Sequence, residues 1–217
     1  MNTPRDPSAL ICFDWDGTIG DSMPLCIQEC RAALLHFGLP DLPDETLRLC
    51  NGPTDWDACA ILGVPDDLRA DFVRVRSGYG LRLMPEYVTL FPGMADMLAE
   101  LSGLARLAVV SNGQQDYITE SIRHFGLTPY ISAYRAYTPG RTKAQLLGDL
   151  LEELKPARAI MVGDRLGDLQ AGQANRLTTV AACYGYGNEA EYAQADLRCA
   201  DVAALHCLLK NWACSAV

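Results

Sequence analysis

The sequence predicts an α/β fold, a doubly wound parallel sheet with a block of helices inserted near its beginning. Three observations predict it. Short apolar runs alternate with amphipathic helical patterns over the second half of the chain. Several of these runs end in polar residues, where the ligand site of a parallel sheet is expected. Residues 20–88, after the first run, show helical periodicity without a convincing strand pattern.

Composition and charge narrow the class of protein. The chain has 217 residues, 49% of them hydrophobic and 21% charged, enough for one substantial core or one domain plus a smaller module. A net charge of −9 argues against nucleic acid or an anionic membrane as the main partner. It leaves a small anionic substrate open, because a bound metal reverses the local field. No apolar run approaches the length of a membrane span, and residues 1–8 lack an apolar signal-peptide core.

The nine cysteines predict a reducing compartment. They are scattered along the chain and contain no C-x-x-C pair, so neither a zinc ribbon nor a thioredoxin-type site is indicated. Several fall within apolar or helical patterns, where cysteine behaves as a small hydrophobic residue. We therefore expect free thiols and a cytoplasmic location.

The first part of the chain predicts one buried strand followed by helices. Residues 9–13 are an apolar run, and Gly17 and Thr18 then turn the chain. Apolar side chains at positions 23, 27, 30, 34 and 37 share one helix face, and the helix is expected to end at Gly38. Three further helices are predicted over residues 44–49, 55–62 and 66–83. Residues 20–88 thus form a helical insertion with six arginines, no lysine and eleven acidic residues.

Strands and helices alternate after residue 89. Strands are predicted over residues 107–110, 131–137, 159–162 and 178–182. Helices are predicted over residues 94–101, 117–125 and 201–209. A further helix is predicted to begin after the cap residue Thr142, and another to follow Asp164 and end at Ala174. This alternation is typical of a parallel sheet with helices on both faces. We therefore predict a core domain of residues 1–19 and 89–217, interrupted by a cap domain of residues 20–88 whose two connections form a hinge.

Two carboxylates close the first predicted strand. Asp14 and Asp16 are separated by one residue, so both point to the same side of an extended chain. Two like charges this close repel each other unless a cation or a shared proton relieves them. This pattern indicates a metal site, although these residues alone are equally compatible with an acidic turn.

Polar residues at later strand ends extend the candidate site. Ser111 and Asn112 offer a hydroxyl and free backbone amides suited to an anion. Asp164 and Asp168 form a second acidic pair at the start of a helix. Lys143 opens another helix, where its charge opposes the macrodipole by some tenths of a kcal/mol unless carboxylates and a phosphate offset that cost. An exposed lysine on a turn is the alternative at this position. No dinucleotide or P-loop fingerprint is present.

Together these residues resemble, in order, the four signature motifs of the haloacid dehalogenase-like hydrolases, which share a Rossmann-like core. The resemblance extends from about residue 9 to 209, and the insertion resembles the small helical cap of phosphoglycolate phosphatase-like and β-phosphoglucomutase-like members. The four motifs correspond to Asp14-Trp15-Asp16-Gly17-Thr18, Ser111-Asn112-Gly113, Lys143, and Gly163-Asp164 with Asp168. One departure is Lys143-Ala144, where many relatives have Lys-Pro.

The resemblance implies a role for each candidate residue. Asp14 is the nucleophile and Asp16 is the general acid and base. Mg²⁺ is held by Asp14, the backbone carbonyl of Asp16 and Asp164, while Asp168 orients metal-bound waters or the lysine. The phosphoryl oxygens are clamped by Ser111, the backbone amide of Asn112, and Lys143. Residues 51–54 are the candidate substrate-reading loop, unless they are only a turn between helices.

The predicted function is hydrolysis of a small phosphorylated metabolite by a Mg²⁺-dependent phosphatase, with phosphoglycolate as one candidate. One alternative is a phosphomutase of the β-phosphoglucomutase type, which a cap without lysine makes less favourable. Another is a catalytically idle binding or regulatory protein on the same fold, for which crowded carboxylates have no physical purpose. The net charge of −5 over residues 20–88 does not predict a strongly anionic leaving group, although one inward-pointing arginine would overturn that expectation. We expect a monomer or homodimer.

Overall fold

A computed structural model describes residues 6–215, so most of the segment 1–8 lies outside the described residues. The strands are β1 Asp6–Phe13, β2 Gly20–Asp21, β3 Thr89–Leu90, β4 Ala105–Val110, β5 Ile131–Arg135, β6 Arg158–Gly163, β7 Thr178–Ala182 and β8 Leu197–Cys199. The helices are α1 Met23–His36, α2 Asp44–Arg48, α3 Asp55–Ile61, α4 Arg69–Tyr87, α5 Met94–Ser102, α6 Gln115–His124, α7 Lys143–Leu154, α8 Leu166–Ala174, α9 Glu189–Tyr192 and α10 Val202–Cys214. None of the helices within 6–215 combines the length and apolar character needed to cross a bilayer.

A six-stranded parallel sheet in the order β5-β4-β1-β6-β7-β8 forms the core, as predicted. Strand β1 lies in the middle, and its last residue, Phe13, pairs with Val109 on one side and Val162 on the other. The chain leaves β1 toward β4 but leaves β6 toward β7, so the topological switch point lies between β1 and β6. The carboxyl ends of β1 and β6 therefore lie side by side at the position where ligands bind in doubly wound sheets.

Helices cover both faces of the sheet. Successive residues of β1 face opposite sides, with Ile11 in one buried cluster and Cys12 in the other. Helices α5, α6 and α10 supply the first cluster, and α7 and α8 supply the second. Burial on both faces explains why the strands are continuous apolar runs rather than alternating patterns.

The helices α1 to α4 lie between β2 and β3 and bury their own cluster, which includes Cys30, Leu34 and Phe72. Strands β2 and β3 pair antiparallel, Gly20 with Leu90 and Asp21 with Thr89, so the two connections to the helical insertion run side by side. The sequence did not predict this pairing, because two residues per strand are too few to show a periodicity. The exact division into residues 1–19 and 89–217 against 20–88 stays a prediction.

Other differences from the sequence prediction are local. The strand predicted over residues 131–137 ends at Arg135, because the Tyr137 N–H instead bonds the Gly113 carbonyl at 2.9 Å. Strand β8 and the short helix α9 were not predicted. Two of the three residues of β8 are exposed, so β8 lacks the apolar run that marks the other strands.

Candidate active site

Three carboxylates meet at the carboxyl ends of β1 and β6. Asp14 follows β1, Asp164 follows β6, and Asp168 lies in the first turn of α8. Each offers a carboxylate oxygen, and these oxygens lie within 4.8 Å of one another. The residues are 5%, 0% and 1% exposed, respectively. Clustered carboxylate oxygens are the donor set that Mg²⁺ prefers, so the residues present fit that ion.

Lys143 lies between two of these carboxylates. Its Nζ is 2.7 Å from Asp14 Oδ1 and 2.6 Å from Asp168 Oδ1, and its side chain is 9% exposed. Helix α7 begins at Lys143 with a capping box between Thr142 and Gln145, which fixes the direction of this first turn. Burial lowers the pKa of Lys143, but Asp14 and Asp168 together raise it above its usual value. Lys143 therefore stays charged, and its bonds to the two carboxylates offset the unfavourable interaction of its charge with the helix macrodipole.

The single positive charge of Lys143 does not balance the negative charges of the three carboxylates. Burial first, and then Asp168, raise the pKa of Asp14 well above its usual range, while Lys143 lowers it only partly. Burial and Asp168 likewise raise the pKa of Asp164 to about 7, against a lowering contribution from the Tyr186 N–H. Three buried carboxylates with one ammonium leave an unbalanced negative charge, which a divalent cation would neutralise.

Close backbone packing fixes Asp164. The Tyr186 N–H donates to Asp164 Oδ2 at 2.7 Å, and the Thr18 hydroxyl lies 3.4 Å from Oδ1. Gly17 has φ +80°, and a Cβ at this position would lie 2.2 Å from Asp164 Oδ2. Glycine is therefore required here both by conformation and by space. The Gly-Thr turn after the first strand holds the carboxylate of the fourth motif.

Asp16 occupies a different environment from Asp14. It is half-buried, and its Oδ1 accepts a hydrogen bond from the Tyr117 hydroxyl at 2.8 Å. Burial raises the pKa of Asp16, while hydrogen bonds from Ser22 and Tyr117 oppose the shift. Its side chain is not part of the three-carboxylate cluster, but Asp14 and Asp16 line the same cavity.

Ser111 and Asn112 follow β4, next to Asp14. The Ser111 side chain is buried, and its oxygen accepts the Gly113 N–H at 3.0 Å. The Asn112 side chain turns toward the helical insertion and donates to the Gly52 carbonyl at 2.9 Å. The side chain of Asn112 is thus occupied by a contact between the two parts of the chain, a role that the sequence did not reveal.

A cavity of about 510 Å³ separates the carboxylates from the helical insertion, with walls from both. The loop of residues 51–54 and the start of α3 close one side. Gln114 donates to Asp55 at 2.8 Å, and Arg165 donates to the Asn51 carbonyl at 3.0 Å. With the Asn112 bond, these contacts hold the insertion against the strand ends. A cavity of this size suits a small metabolite.

Tyr117 and Tyr186 are site residues that sequence reasoning missed. Tyr117 lies one turn into α6, where its aromatic ring fits the apolar pattern. Tyr186 lies in a turn between Gly185 and Gly187. A Cβ on Gly185 would lie 2.4 Å from Asp164 Cβ, so this glycine permits close packing against the carboxylate. Two glycines around an aromatic residue were the available signal.

The Tyr186 hydroxyl also ties the core to the connection between β2 and α1. It accepts the N–H groups of Ser22 and Met23 at 2.6 and 2.9 Å, and donates to Asp21 Oδ1 at 2.7 Å. Replacing Tyr186 with Phe leaves these partners unsatisfied, at a cost of about 1–3 kcal/mol. We expect thermal unfolding to show a Tm about 2–12 °C lower.

The matched control for Tyr186→Phe is Tyr134→Phe, which removes a hydroxyl that contacts Thr119 on the exposed surface. This change should shift Tm by less than about 2 °C. Equal Tm shifts in the two variants would show that the Tyr186 hydroxyl does not stabilise the connection between β2 and α1.

The family profile of the haloacid dehalogenase-like hydrolases matches residues 11–182. The chain therefore belongs to this family, which confirms the resemblance found in the motifs. A phosphoglycolate phosphatase of Synechococcus elongatus is 29% identical over 185 residues, covering 82% of this chain and 85% of the relative. This similarity supports the predicted phosphoglycolate phosphatase-like subgroup.

Another relative is named a kinase rather than a phosphatase. The tyrosine-protein kinase PtkA of Mycobacterium tuberculosis is 30% identical over 192 residues. The match covers 86% of this chain but only 66% of PtkA, so this chain spans just under two thirds of that relative. Among solved structures, a haloacid dehalogenase-like hydrolase from Streptococcus pneumoniae aligns with a TM-score of 0.83 at 22% identity, covering 95% of this chain and all of the other. That alignment supports the fold alone.

Proposed function

We propose that this chain is a Mg²⁺-dependent phosphatase that hydrolyses a small phosphomonoester through an aspartyl-phosphate on Asp14. One observation carries the proposal: Asp14, bonded to Lys143, lines a cavity together with Asp16. A nucleophile beside a cation and a separate proton donor is the arrangement that phosphoryl transfer needs. The phosphoglycolate phosphatase relatives support this class of reaction.

In the first step, a carboxylate oxygen of Asp14 attacks phosphorus and the bond from phosphorus to the substrate's alkoxide oxygen breaks. The carboxyl of Asp16 gives its proton to that oxygen, so the product leaves as a neutral alcohol. Burial raises the pKa of Asp16, which is the direction of shift that a proton donor needs. Tyr117 is a positioning residue, because its hydroxyl holds the carboxyl of Asp16.

In the second step, the carboxylate of Asp16 accepts a proton from water, and the water oxygen attacks phosphorus. The bond from phosphorus to Asp14 breaks, phosphate leaves and Asp16 is protonated again. The same residue thus serves as acid and then as base.

Two sets of residues around Asp14 would serve the reaction, one to hold the metal and one to clamp the phosphoryl group. Mg²⁺ would be held by Asp14, Asp164 and the backbone carbonyl of Asp16, and would supply charge neutralisation at the phosphoryl oxygens. Asp168 orients Lys143, to which it is bonded at 2.6 Å, and would also orient water bound to the metal. Ser111, the backbone amide of Asn112, and Lys143 donate to the phosphoryl oxygens.

The test is phosphate release from a panel of phosphomonoesters, measured with Mg²⁺ and with EDTA. The panel contains phosphoglycolate, sugar phosphates, nucleotides and p-nitrophenyl phosphate. Metal-dependent release is expected; no release from any ester by folded protein would overturn the proposal. Isomerisation of a sugar phosphate without release would favour the phosphomutase, and label transfer from ATP to a tyrosine peptide would favour a kinase.

Asp164→Asn is expected to weaken Mg²⁺ binding by at least about tenfold, because it replaces a charged ligand with a neutral one of the same shape. Calorimetric titration of Mg²⁺ measures this directly, without relying on turnover. Asp96→Asn, an exposed carboxylate on α5, is the control and should bind Mg²⁺ like the parent protein. Equal Mg²⁺ affinity in both variants would remove Asp164 from the metal site.

The cysteines and the net charge bear on the cellular location and on the class of partner. All nine cysteines are unpaired, which supports a reducing, cytoplasmic location. The partner is a small phosphorylated metabolite rather than nucleic acid or membrane, since the chain carries a net charge of −9.

A further inference from the structure

A polar cluster lies in the wall of the cavity that the helical insertion supplies. It consists of Glu29 on α1, Arg76 on α4 and Asp55 on α3, and we call it the cap cluster. The guanidinium of Arg76 is 2.7 Å from Glu29 Oε1 and 2.7 Å from Asp55 Oδ1. The three side chains are 5% (Arg76), 15% (Glu29) and 19% (Asp55) exposed. All three residues line the same cavity as Asp14 and Asp16.

Two polar atoms beside the cap cluster lack hydrogen-bond partners. Arg76 Nε is a buried donor, and Asn51 Oδ1 is a buried acceptor; neither has a partner within the described part of the chain. Both residues line the cavity. An unsatisfied buried polar atom costs about 1–3 kcal/mol. These two atoms have almost no accessible surface, so the groups of this wall that a molecule in the cavity can reach are the carboxylates of Glu29 and Asp55 and the outer nitrogens of Arg76.

The charge of the cap cluster determines which chemical groups of a substrate can bind beside it. Arg76 is the inward-pointing arginine whose position the sequence could not reveal, but it is already engaged by two carboxylates. The three side chains carry two potential negative charges against one positive charge. The 2.7 Å bond from Arg76 favours the ionised form of Glu29, against burial, which raises the pKa of Glu29. This part of the wall therefore resists any further negative charge.

A substrate carboxylate in this wall would meet Glu29 and Asp55. Two like charges 4 Å apart repel by about 4 kcal/mol at an effective dielectric constant of 20. A hydroxyl group, by contrast, can donate to either carboxylate and can accept from the guanidinium. Hydroxyl groups therefore match the cap cluster, whereas a hydroxy acid does not.

We infer that the cap cluster is a binding subsite for the leaving alcohol, and that the substrate is a phosphomonoester of a neutral polyhydroxyl compound rather than of a hydroxy acid. This inference rests on the proposed phosphatase activity and defines its substrate class. It also places phosphoglycolate among the poor substrates of this chain, although relatives are named for it. The specificity-determining residues are Glu29, Asp55 and Arg76.

The test uses pairs of phosphomonoesters that differ only in a terminal hydroxymethyl or carboxylate group. The pairs are 2-hydroxyethyl phosphate with phosphoglycolate, glycerol 3-phosphate with 3-phosphoglycerate, and sorbitol 6-phosphate with 6-phosphogluconate. We expect kcat/KM to favour the hydroxymethyl member by at least about tenfold, which corresponds to about 1.4 kcal/mol. p-Nitrophenyl phosphate, which has neither group, reports the basal activity.

Glu29→Gln tests the cap cluster itself. The amide keeps the size of the side chain and an acceptor for Arg76, but removes one negative charge from the wall. We expect the preference for the hydroxymethyl member to fall at least about threefold in each pair, with a rise in hydrolysis of the carboxylate member. Glu45→Gln makes the same change on the exposed surface of α2, and should keep the parent preference.

The outcomes separate this inference from the proposed function. Metal-dependent hydrolysis with equal or greater kcat/KM for the carboxylate members overturns the subsite and leaves the phosphatase proposal standing. No release from any ester, p-nitrophenyl phosphate included, overturns both. A hydroxymethyl preference that Glu29→Gln leaves intact in a folded variant, judged by its thermal unfolding, assigns the selection to other residues and also overturns the subsite.

Discussion

Asp14→Asn is expected to lower turnover of every phosphomonoester by at least about 10⁴-fold while the fold remains intact. The amide has nearly the shape of the carboxylate but is a poor nucleophile and cannot form the acyl phosphate. Removal of one carboxylate from a crowded, buried cluster relieves repulsion from Asp164 and Asp168. Lys143 keeps its 2.6 Å bond to Asp168, so the variant does not leave the ammonium without a partner.

Three measurements check this expectation. Phosphate release gives the rate, and circular dichroism with thermal unfolding verifies the fold. An acid-quenched reaction of the parent protein, digested and analysed by mass spectrometry, should carry one phosphoryl group on the peptide that contains Asp14. The same peptide from the variant should carry none. Asp96→Asn, on the exposed surface of α5, is the matched control and should retain parent activity.

Near-normal turnover by Asp14→Asn would sink the aspartyl-phosphate mechanism. A second observation would also count against it: a phosphoryl group trapped on a different residue of the parent protein. Loss of activity together with loss of fold would be resolved by Asp14→Glu. This variant keeps the charge but moves the nucleophile, and is expected to fold and remain slow.

The main site could be predicted from sequence because strand ends are visible in sequence. An apolar run that stops at Asp14 or Asp164 shows both the strand and the residue that follows it. The parallel topology then brings those ends together, so residues far apart in the chain could be assigned to one place. Lys143 was identifiable because a cation at a helix start is unfavourable unless something offsets it, and the structure shows two carboxylates that do.

The rest of the site depends on contacts that leave no periodic signal. The Tyr117 hydroxyl reaches Asp16 across 101 positions of sequence, and the Tyr186 hydroxyl reaches Asp21 across 165. Each tyrosine fits an ordinary apolar or turn pattern, so its partner is not encoded locally. The cap cluster was hidden for a similar reason. Arg76 is one of six arginines over residues 20–88, and only packing shows that it is buried.

The second large effect is expected from replacing Gly163, and Gly167 in the same motif provides its control. Gly163 ends β6, and a Cβ there would lie 2.2 Å from Asp168 Cβ. Gly167 is exposed in the first turn of α8, and a Cβ there meets nothing within 4 Å. Gly163→Ala must therefore push α8 away from the strand. Overpacking of this kind costs about 1–3 kcal/mol, which would lower Tm by about 2–12 °C.

Activity should fall with stability in Gly163→Ala, for a specific reason. Asp168 holds Lys143 at 2.6 Å, and Lys143 in turn bonds Asp14 at 2.7 Å. A displacement of Asp168 therefore moves the lysine away from the nucleophile. We expect phosphate release to fall by at least about 100-fold, since a misplacement of about 1 Å is enough for such a loss.

Gly167→Ala is the matched control, because it adds the same methyl group four residues away. Alanine favours a helix more than glycine does, so this variant should be more stable than the parent by about 0.5–1 kcal/mol, with unchanged activity. Thermal unfolding and phosphate release on both variants measure the contrast. If the two variants behave alike, the close contact between Gly163 and Asp168 does not set the position of Lys143, and the link from strand end to nucleophile fails.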